Sequence, residues 1–308
     1  MARPAPDTDH RSMIDAAIGF AIPDRNARGR LVRLGPVLSE ILAAHDYPAP
    51  IARTLSEAIV LTALLGATLK HAGAQLTLQA QTRGGIISLL VADYRAGELR
   101  GYARFDSERL AAGPASHRDL SLLFGSEGHL AITFDQLLGG ERYQGIVPLE
   151  GDSLGMAAEH FFAQSEQIPS VVRLAVSDTG RVAGGMLVQH LAEGEEGRER
   201  LHTRLDHPQW QHVSVLARTV KAGELADPAL PLEQLLWRLF HEEKEVRLLA
   251  GVPLSRGCRC SLAHVEDVIA RFPEAERAEM ADPDGMIRVD CEFCSKSFAV
   301  APVGPGAR

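Results

Sequence analysis

Cys258 and Cys260 stand one residue apart in RGCRCSLAH, Cys291 and Cys294 two apart in DCEFCSK, and the 308-residue chain has no other cysteine. Thiolate sulfur is a soft metal ligand, a nucleophile and a redox centre. Four thiols in one window therefore admit a structural metal knot, a disulfide pair, a catalytic centre or a switch. The N-terminus MARPAPDTDHRSMIDAAIGFAIPD has only a short apolar stretch, broken by Asp15 and ended by Pro23, without a small-residue cleavage site, so a cytoplasmic chain is expected. There the reducing pool disfavours structural disulfides, and clustered cysteines point to a metal or to redox work. One pair at each end of the 30-residue insert 261–290 can close a tetrahedral four-thiolate site for one Zn²⁺.

The CxC half is unusual beside the CxxC of ordinary zinc knuckles. It leaves Cys258 and Cys260 close enough to oxidise to each other in a small, strained and readily reducible ring. Four thiolates on one Zn²⁺ carry a net charge of −2, which Arg256, Arg259, Arg288 and Lys296 can partly offset. One site can thus serve two states, reduced thiolates holding the ion and a fold, oxidised sulfurs releasing it. Structural zinc contributes on the order of 10–16 kcal/mol in small peptides. The stretch 251–302 has few large apolar groups, so without such a staple it is expected to unfold.

The elements that must carry this module read as α+β. GRLVRLG (29–35) alternates as a strand, followed by a short helix from Pro36, and 49–70 has the broad apolar face of a largely buried helix. Strand-like runs at 74–82, 86–94, 98–105, 129–136 and 142–149, joined at glycines, form an antiparallel sheet. A helix over 153–169 and a last strand pair complete a core domain at 27–192. Residues 1–26 are expected to be a flexible extension, 193–250 a charged and helical linker, 251–302 the four-cysteine zinc module and 303–308 a tail. The linker helix around LPLEQLLWRLFHEE places Leu232, Leu235, Leu236, Leu239 and Phe240 on one face. At about three turns it is too short to stand alone in water, so it docks, permanently or conditionally.

Composition narrows the function. Hydrophobic content of 45% with 23% charged residues is that of a soluble globular chain, and no membrane partner is expected. A formal charge of −8 and a pI near 5.8 argue against a nucleic-acid partner, which needs a concentrated basic face. GDSLG (151–155) satisfies the hydrolase elbow pattern, yet antiparallel hairpins precede it and an N-cap at Asp152 or Ser153 explains it more simply. His264 could serve as a ligand, but four thiolates already fill a tetrahedron. Glu166 has no partnering base, and the glycine pairs at 84–85, 139–140 and 184–185 read as turns or bulges rather than phosphate cradles. No catalytic residue is assigned.

The CRC and CEFC pairs, with this separation and position, resemble the heat shock protein 33 family of redox-regulated chaperone holdases, the 33 kDa chaperonins. RGRLVRLGPVLSEILAAHDYP, LTLQAQTRGG, LLVADY, ERYQGIVPLEG, FFAQSEQIPS and AGGMLVQHL carry the resemblance from about residue 27 to residue 298. The resemblance implies an ATP-independent holdase, not an enzyme, idle while reduced and zinc-bound. It implies that on oxidation Cys258 pairs with Cys260 and Cys291 with Cys294, zinc leaves, the C-terminal module unfolds and the linker loosens. It further implies a dimeric active form capturing unfolding client proteins, and it favours the conditional linker. Apolar linker residues Leu235, Leu236, Leu239 and Phe240, with the surface they cover, are the expected client-binding site. The N-terminal extension, the insert AEGEEGRER and TRGG at 82–85 depart from the family pattern away from the cysteines. A zinc ribbon contacting nucleic acid and a thiol oxidoreductase are the alternatives.

Overall fold

A computed structural model describes residues 14–69, 71, 73–113, 120–135, 142–191 and 206–302. Strands β1 (Ala16–Ile22) and β2 (Ala27–Leu34) form a hairpin, followed by helices α1 (Pro36–Leu42) and α2 (Ala49–Gly66). Next come β3 (Gln75–Gln81), β4 (Ile87–Arg95), β5 (Glu98–Phe105), the short helices α3 (Ser107–Ala112) and α4 (Leu120–Phe124), β6 (His129–Asp135) and β7 (Tyr143–Pro148). Helix α5 (Leu154–Phe161) runs into a π-helical turn at Phe162–Glu166, ahead of β8 (Ser170–Val176) and β9 (Ala183–His190). The linker region holds α6 (Pro208–Arg218), α7 (Ala222–Leu225) and α8 (Leu232–Phe240). The chain closes with β10 (Arg247–Pro253), β11 (Ser255–Arg256), α9 (Leu262–Ile269), α10 (Glu274–Glu279), β12 (Ile287–Asp290) and β13 (Ser297–Val300).

Two sheets enclose α2. One has the order β10-β1-β2-β9-β8, the other β11-β5-β4-β3-β6-β7, and every pairing is antiparallel except β11 with β5. Ile51, Leu55, Ile59 and Leu64 of α2 pack between Val32 and Leu34 of the first sheet and Leu76 and Leu78 of the second. α2 is long and apolar enough to cross a membrane, but 72% of it is buried, because both sheets cover it as a core helix. The β4–β5 turn is tight, with positive φ at Ala96 (51°) and Gly97 (87°), the backbone of a two-residue hairpin loop.

The far face of the first sheet is covered as well. Phe20, Ile22, Leu31, Met186 and Val188 meet Trp210, Val213, Leu235, Leu236, Leu239 and Phe240 of the linker helices in a second core. A third, far smaller core joins Val265, Ile269, Ile287, Phe298 and Val300 in the C-terminal module.

Several expectations are corrected. Residues 1–13 lie outside the described residues, but the rest of the expected extension contains β1, a strand with neighbours on both sides. AAIGFAI is apolar throughout because both sheet faces are buried, so it shows no alternation to mark it as a strand. The linker boundary at 250 cuts through β10, which pairs with β1 and belongs to the first sheet. Gly184 and Gly185 lie inside regular β9 rather than at a turn: a Cβ on Gly184 would come within 2.1 Å of the Leu225 carbonyl oxygen, so glycine lets the linker backbone approach. Gly139, Gly140 and the insert AEGEEGRER lie outside the described residues. Ser153 is the N-cap of α5, its Oγ accepting from the Met156 amide at 3.3 Å.

Candidate metal centre

The CRC loop is delivered by the edge of the second sheet. Ser255 and Arg256 pair in parallel with Glu98 and Leu99, and the Gly257 amide donates to the Leu99 carbonyl at 2.9 Å, which sets Cys258 at the rim of β5. After Cys260, Ser261 caps α9, its Oγ accepting from the His264 amide at 3.2 Å. The CEFC loop leaves β12 and turns on itself: the amides of Cys294 (3.2 Å) and Ser295 (2.8 Å) donate to the Cys291 carbonyl, and Ser295 takes a φ of 56°. β13 then returns against β12.

The two loops bring all four Sγ atoms within 4.8 Å of one another. Cys258 lies 3.4 Å from Cys260 and 3.5 Å from Cys291, and Cys260 lies 3.4 Å from Cys294. A disulfide needs about 2.05 Å, so these are free thiols. A tetrahedron with bonds of about 2.3 Å has sulfur edges of about 3.8 Å, so four soft donors at these separations fit one zinc ion. His264 is exposed and stands outside the group. Burial opposes ionisation of Cys258, but hydrogen bonds from the Cys260 amide and from the other thiols outweigh it and bring that thiol down to about 7. Burial and the neighbouring sulfurs raise Cys260, and burial raises Cys291.

The cations expected around the sulfurs are partly engaged elsewhere. Arg288 pairs with Asp282 (3.1 Å) and Asp284 within the module. Arg259 turns to the second sheet, where it meets Gln75 and Asp93. The CEFC loop is docked too. His45 Nε2 meets the Glu292 carbonyl at 2.6 Å, Ser295 Oγ donates to the Ala44 carbonyl at 2.6 Å, and the Arg100 guanidinium lies 3.9 Å from the Phe293 ring centroid. A cavity of about 600 Å³ lined by Cys260, Cys291, Val265, Phe293 and Arg100 opens beside the sulfurs.

The expected client-binding residues are collected on one surface, but a covered one. Leu235, Leu236, Leu239 and Phe240 are buried against the first sheet, with the Phe240 ring 5.7 Å from that of Phe20. Arg33, a buried arginine on β2, fastens the same segment: its Nε donates to the Leu225 carbonyl and Nη2 to the Glu224 carbonyl, both at 3.0 Å, while Nη1 takes the Leu230 carbonyl. Glu243 accepts from Arg25 at 2.8 Å and from His212 at 2.7 Å. Sequence reasoning missed Arg33, Asp93 and Arg100. The available signal was a charge within an apolar strand run, as in LLVADY and RLVRL, because a charge there must find a partner.

Comparison with known proteins agrees with this architecture. The crystal structure of the 33 kDa chaperonin (heat shock protein 33 homolog) of Thermotoga maritima is similar in fold, with a TM-score of 0.70 at 22% identity, covering 94% of this chain and 95% of that one. The 33 kDa chaperonin of Caulobacter vibrioides (strain NA1000 / CB15N) is 43% identical over 309 residues, 97% of this chain and 98% of the relative. That of Pseudomonas paraeruginosa (strain DSM 24068 / PA7) is 37% identical over 289 residues, 92% and 91% of the two chains. The family model described as Hsp33 protein matches residues 15–301, nearly the whole sequence. The chain belongs to the Hsp33 family.

Proposed function

We propose that this protein is a redox-regulated, ATP-independent holdase of the cytoplasm, silent while Cys258, Cys260, Cys291 and Cys294 are reduced and hold one zinc ion. Hsp33 is a family of chaperone holdases rather than enzymes, and the relatives are named chaperonins. The observation that carries the reading is the meeting of four free thiols at the end of the strip that closes the linker. From α8 the chain runs along β1 as β10, touches β5 as β11 and enters Cys258. When bound, the ion would keep four sulfurs at one point as thiolates. The third core contains five buried apolar residues, too few to replace that constraint.

Oxidation by peroxide joins Cys258 to Cys260 and Cys291 to Cys294. Each pair of thiolates gives two electrons to one peroxide, which takes two protons from solvent and leaves as two waters. Sulfurs bonded to each other no longer grip a cation, the module loses its shape, and β11 and β10 lose their C-terminal anchor. The linker helices then lift, baring Leu235, Leu236, Leu239 and Phe240 together with the sheet face opposite. Those surfaces take up unfolding clients, and the open form acts as a dimer.

The test is light scattering from a heat-denatured client mixed with reduced, zinc-loaded protein or with peroxide-treated protein. Suppression of aggregation by the oxidised form alone is expected. Equal suppression by both forms, or by neither, overturns the reading.

A further inference from the structure

We propose that Arg259, the residue lodged between Cys258 and Cys260, is a latch that transmits the state of the thiols to the first domain, with Asp93 on β4 as its keeper. The inference rests on the redox-holdase reading and adds the contact through which that regulation runs. Arg259 points away from the sulfurs: Nη2 donates to Asp93 Oδ2 at 3.2 Å, and Nη1 donates to Gln75 Oε1. The Asp93 side chain is 3% exposed and also accepts from Thr77 Oγ1 and from Arg100 Nε, each at 2.7 Å. A buried carboxylate held by several donors is a strong seat for a guanidinium.

That seat is also one that can be vacated. Thr77 and Arg100 belong to the second sheet and stay behind when Arg259 leaves, so undocking does not strand a bare buried charge, which would be prohibitive. Arg100 in turn lies over the ring of Phe293, the residue before Cys294. One Asp93–Arg100 pair thus holds both sulfur loops through residues set between their cysteines.

Arg259 reaches Asp93 with Cys258 and Cys260 facing the other sulfur pair. Joining those two thiols shortens their 3.4 Å separation to about 2.05 Å in a ring that contains the Arg259 backbone, which re-aims its side chain. Once Arg259 is out, the nearest contacts upstream are the two residues of β11, then β10, then the end of α8. The latch therefore stands at the start of the strip whose peeling frees the linker.

The experiment is hydrogen–deuterium exchange on the reduced, zinc-loaded full chain, with zinc content measured alongside, for wild type, Arg259→Ala, Asp93→Asn and the double variant. Each variant is expected to retain one zinc per chain. Amides of β10 and α8 are expected to exchange about tenfold faster in Arg259→Ala, the weight of one charge-assisted hydrogen bond. The double variant is expected to exchange no faster than the faster single one. Unchanged exchange in Arg259→Ala, additive effects in the double variant, or loss of zinc from Arg259→Ala each overturns the latch. If Asp93→Asn does not fold, Arg259→Glu, which opposes two carboxylates, must exceed Arg259→Ala, and equality overturns the proposal. Peroxide-treated wild type separates the two readings. If its α8 amides stay protected with the thiols joined, the holdase reading itself fails; if they open while Arg259→Ala matches reduced wild type, only the latch fails.

Discussion

Arg33 Nε donates to the Leu225 carbonyl across 3.0 Å at a point shut off from solvent, so a strand of the first sheet holds the backbone of the linker directly. Its other two nitrogens take the Leu230 and Glu224 carbonyls. Arg33→Met keeps the length of the side chain and removes every donor. Three carbonyls left without partners cost about 1 kcal/mol or more each, so the linker should undock with a loss of about 3 kcal/mol. Urea unfolding followed by fluorescence of the buried linker residue Trp210 measures it. Arg33→Lys will not restore the wild-type midpoint, because one ammonium cannot reproduce the fork.

Gly184 offers a gentler probe. Alanine there would drive its Cβ to 2.1 Å from the Leu225 oxygen, a contact only backbone movement can relieve. Gly184→Ala is expected to cost about 1–3 kcal/mol as overpacking and to act on α7 rather than on the thiols. Zinc content should stay at one per chain while proteolysis between 206 and 240 accelerates under reducing conditions.

On α8, Phe240 is fully buried against Phe20, whereas Trp237 is 66% exposed. Phe240→Ala should cost about 3–5 kcal/mol and make the reduced protein bind an apolar dye. Trp237→Ala, on the same helix, should change stability by less than about 0.5 kcal/mol, as surface substitutions do. Equal effects from both would show that α8 is not docked by the face described.

Chelation under reductant tests how far each core depends on the sulfurs. Amides of α9, β12 and β13 should lose protection, since among the described residues their core has only five buried apolar side chains, with Ala281 and Val289 partly buried against them. Amides of α2 and β3, enclosed between two sheets, should keep theirs. Exchange resolved by peptide distinguishes the two.

Glu57 supplies a pH dependence unrelated to the thiols. Burial holds its carboxyl up at about 7, against the opposing pull of Arg53. The folded chain therefore binds this proton more tightly than the unfolded chain. The resulting stabilisation is complete below the unfolded value near 4.5 and is lost as pH rises through 7. Glu57→Gln should match wild type near pH 4 and exceed it by on the order of 2 kcal/mol at pH 8, read from thermal unfolding at the two pH values.

The sheet strands β2 to β9, α2 and the linker helices α6 and α8 were legible from period and turn residues, whereas the four-residue α7 is too short to show a period. β1 was not, because both its faces are covered and its sequence carries no period. β10 was not, because most of its residues are exposed and only the edge of β1 holds it in place. The four sulfurs were legible from spacing alone, since no other cysteine competes. Their attachment to the sheet was not, as it depends on where Arg259 and Phe293 point, and neighbouring residue types do not determine that.

β9 is buried at all eight of its positions, with no polar side chain until Gln189 and His190 close it. Strip away α6 to α8 and one flank of that sheet has no arrangement in which it can rest in water. Apolar surface of that extent is stable only against other apolar surface. The three linker helices are thus the lid on a sheet built to be covered on both sides.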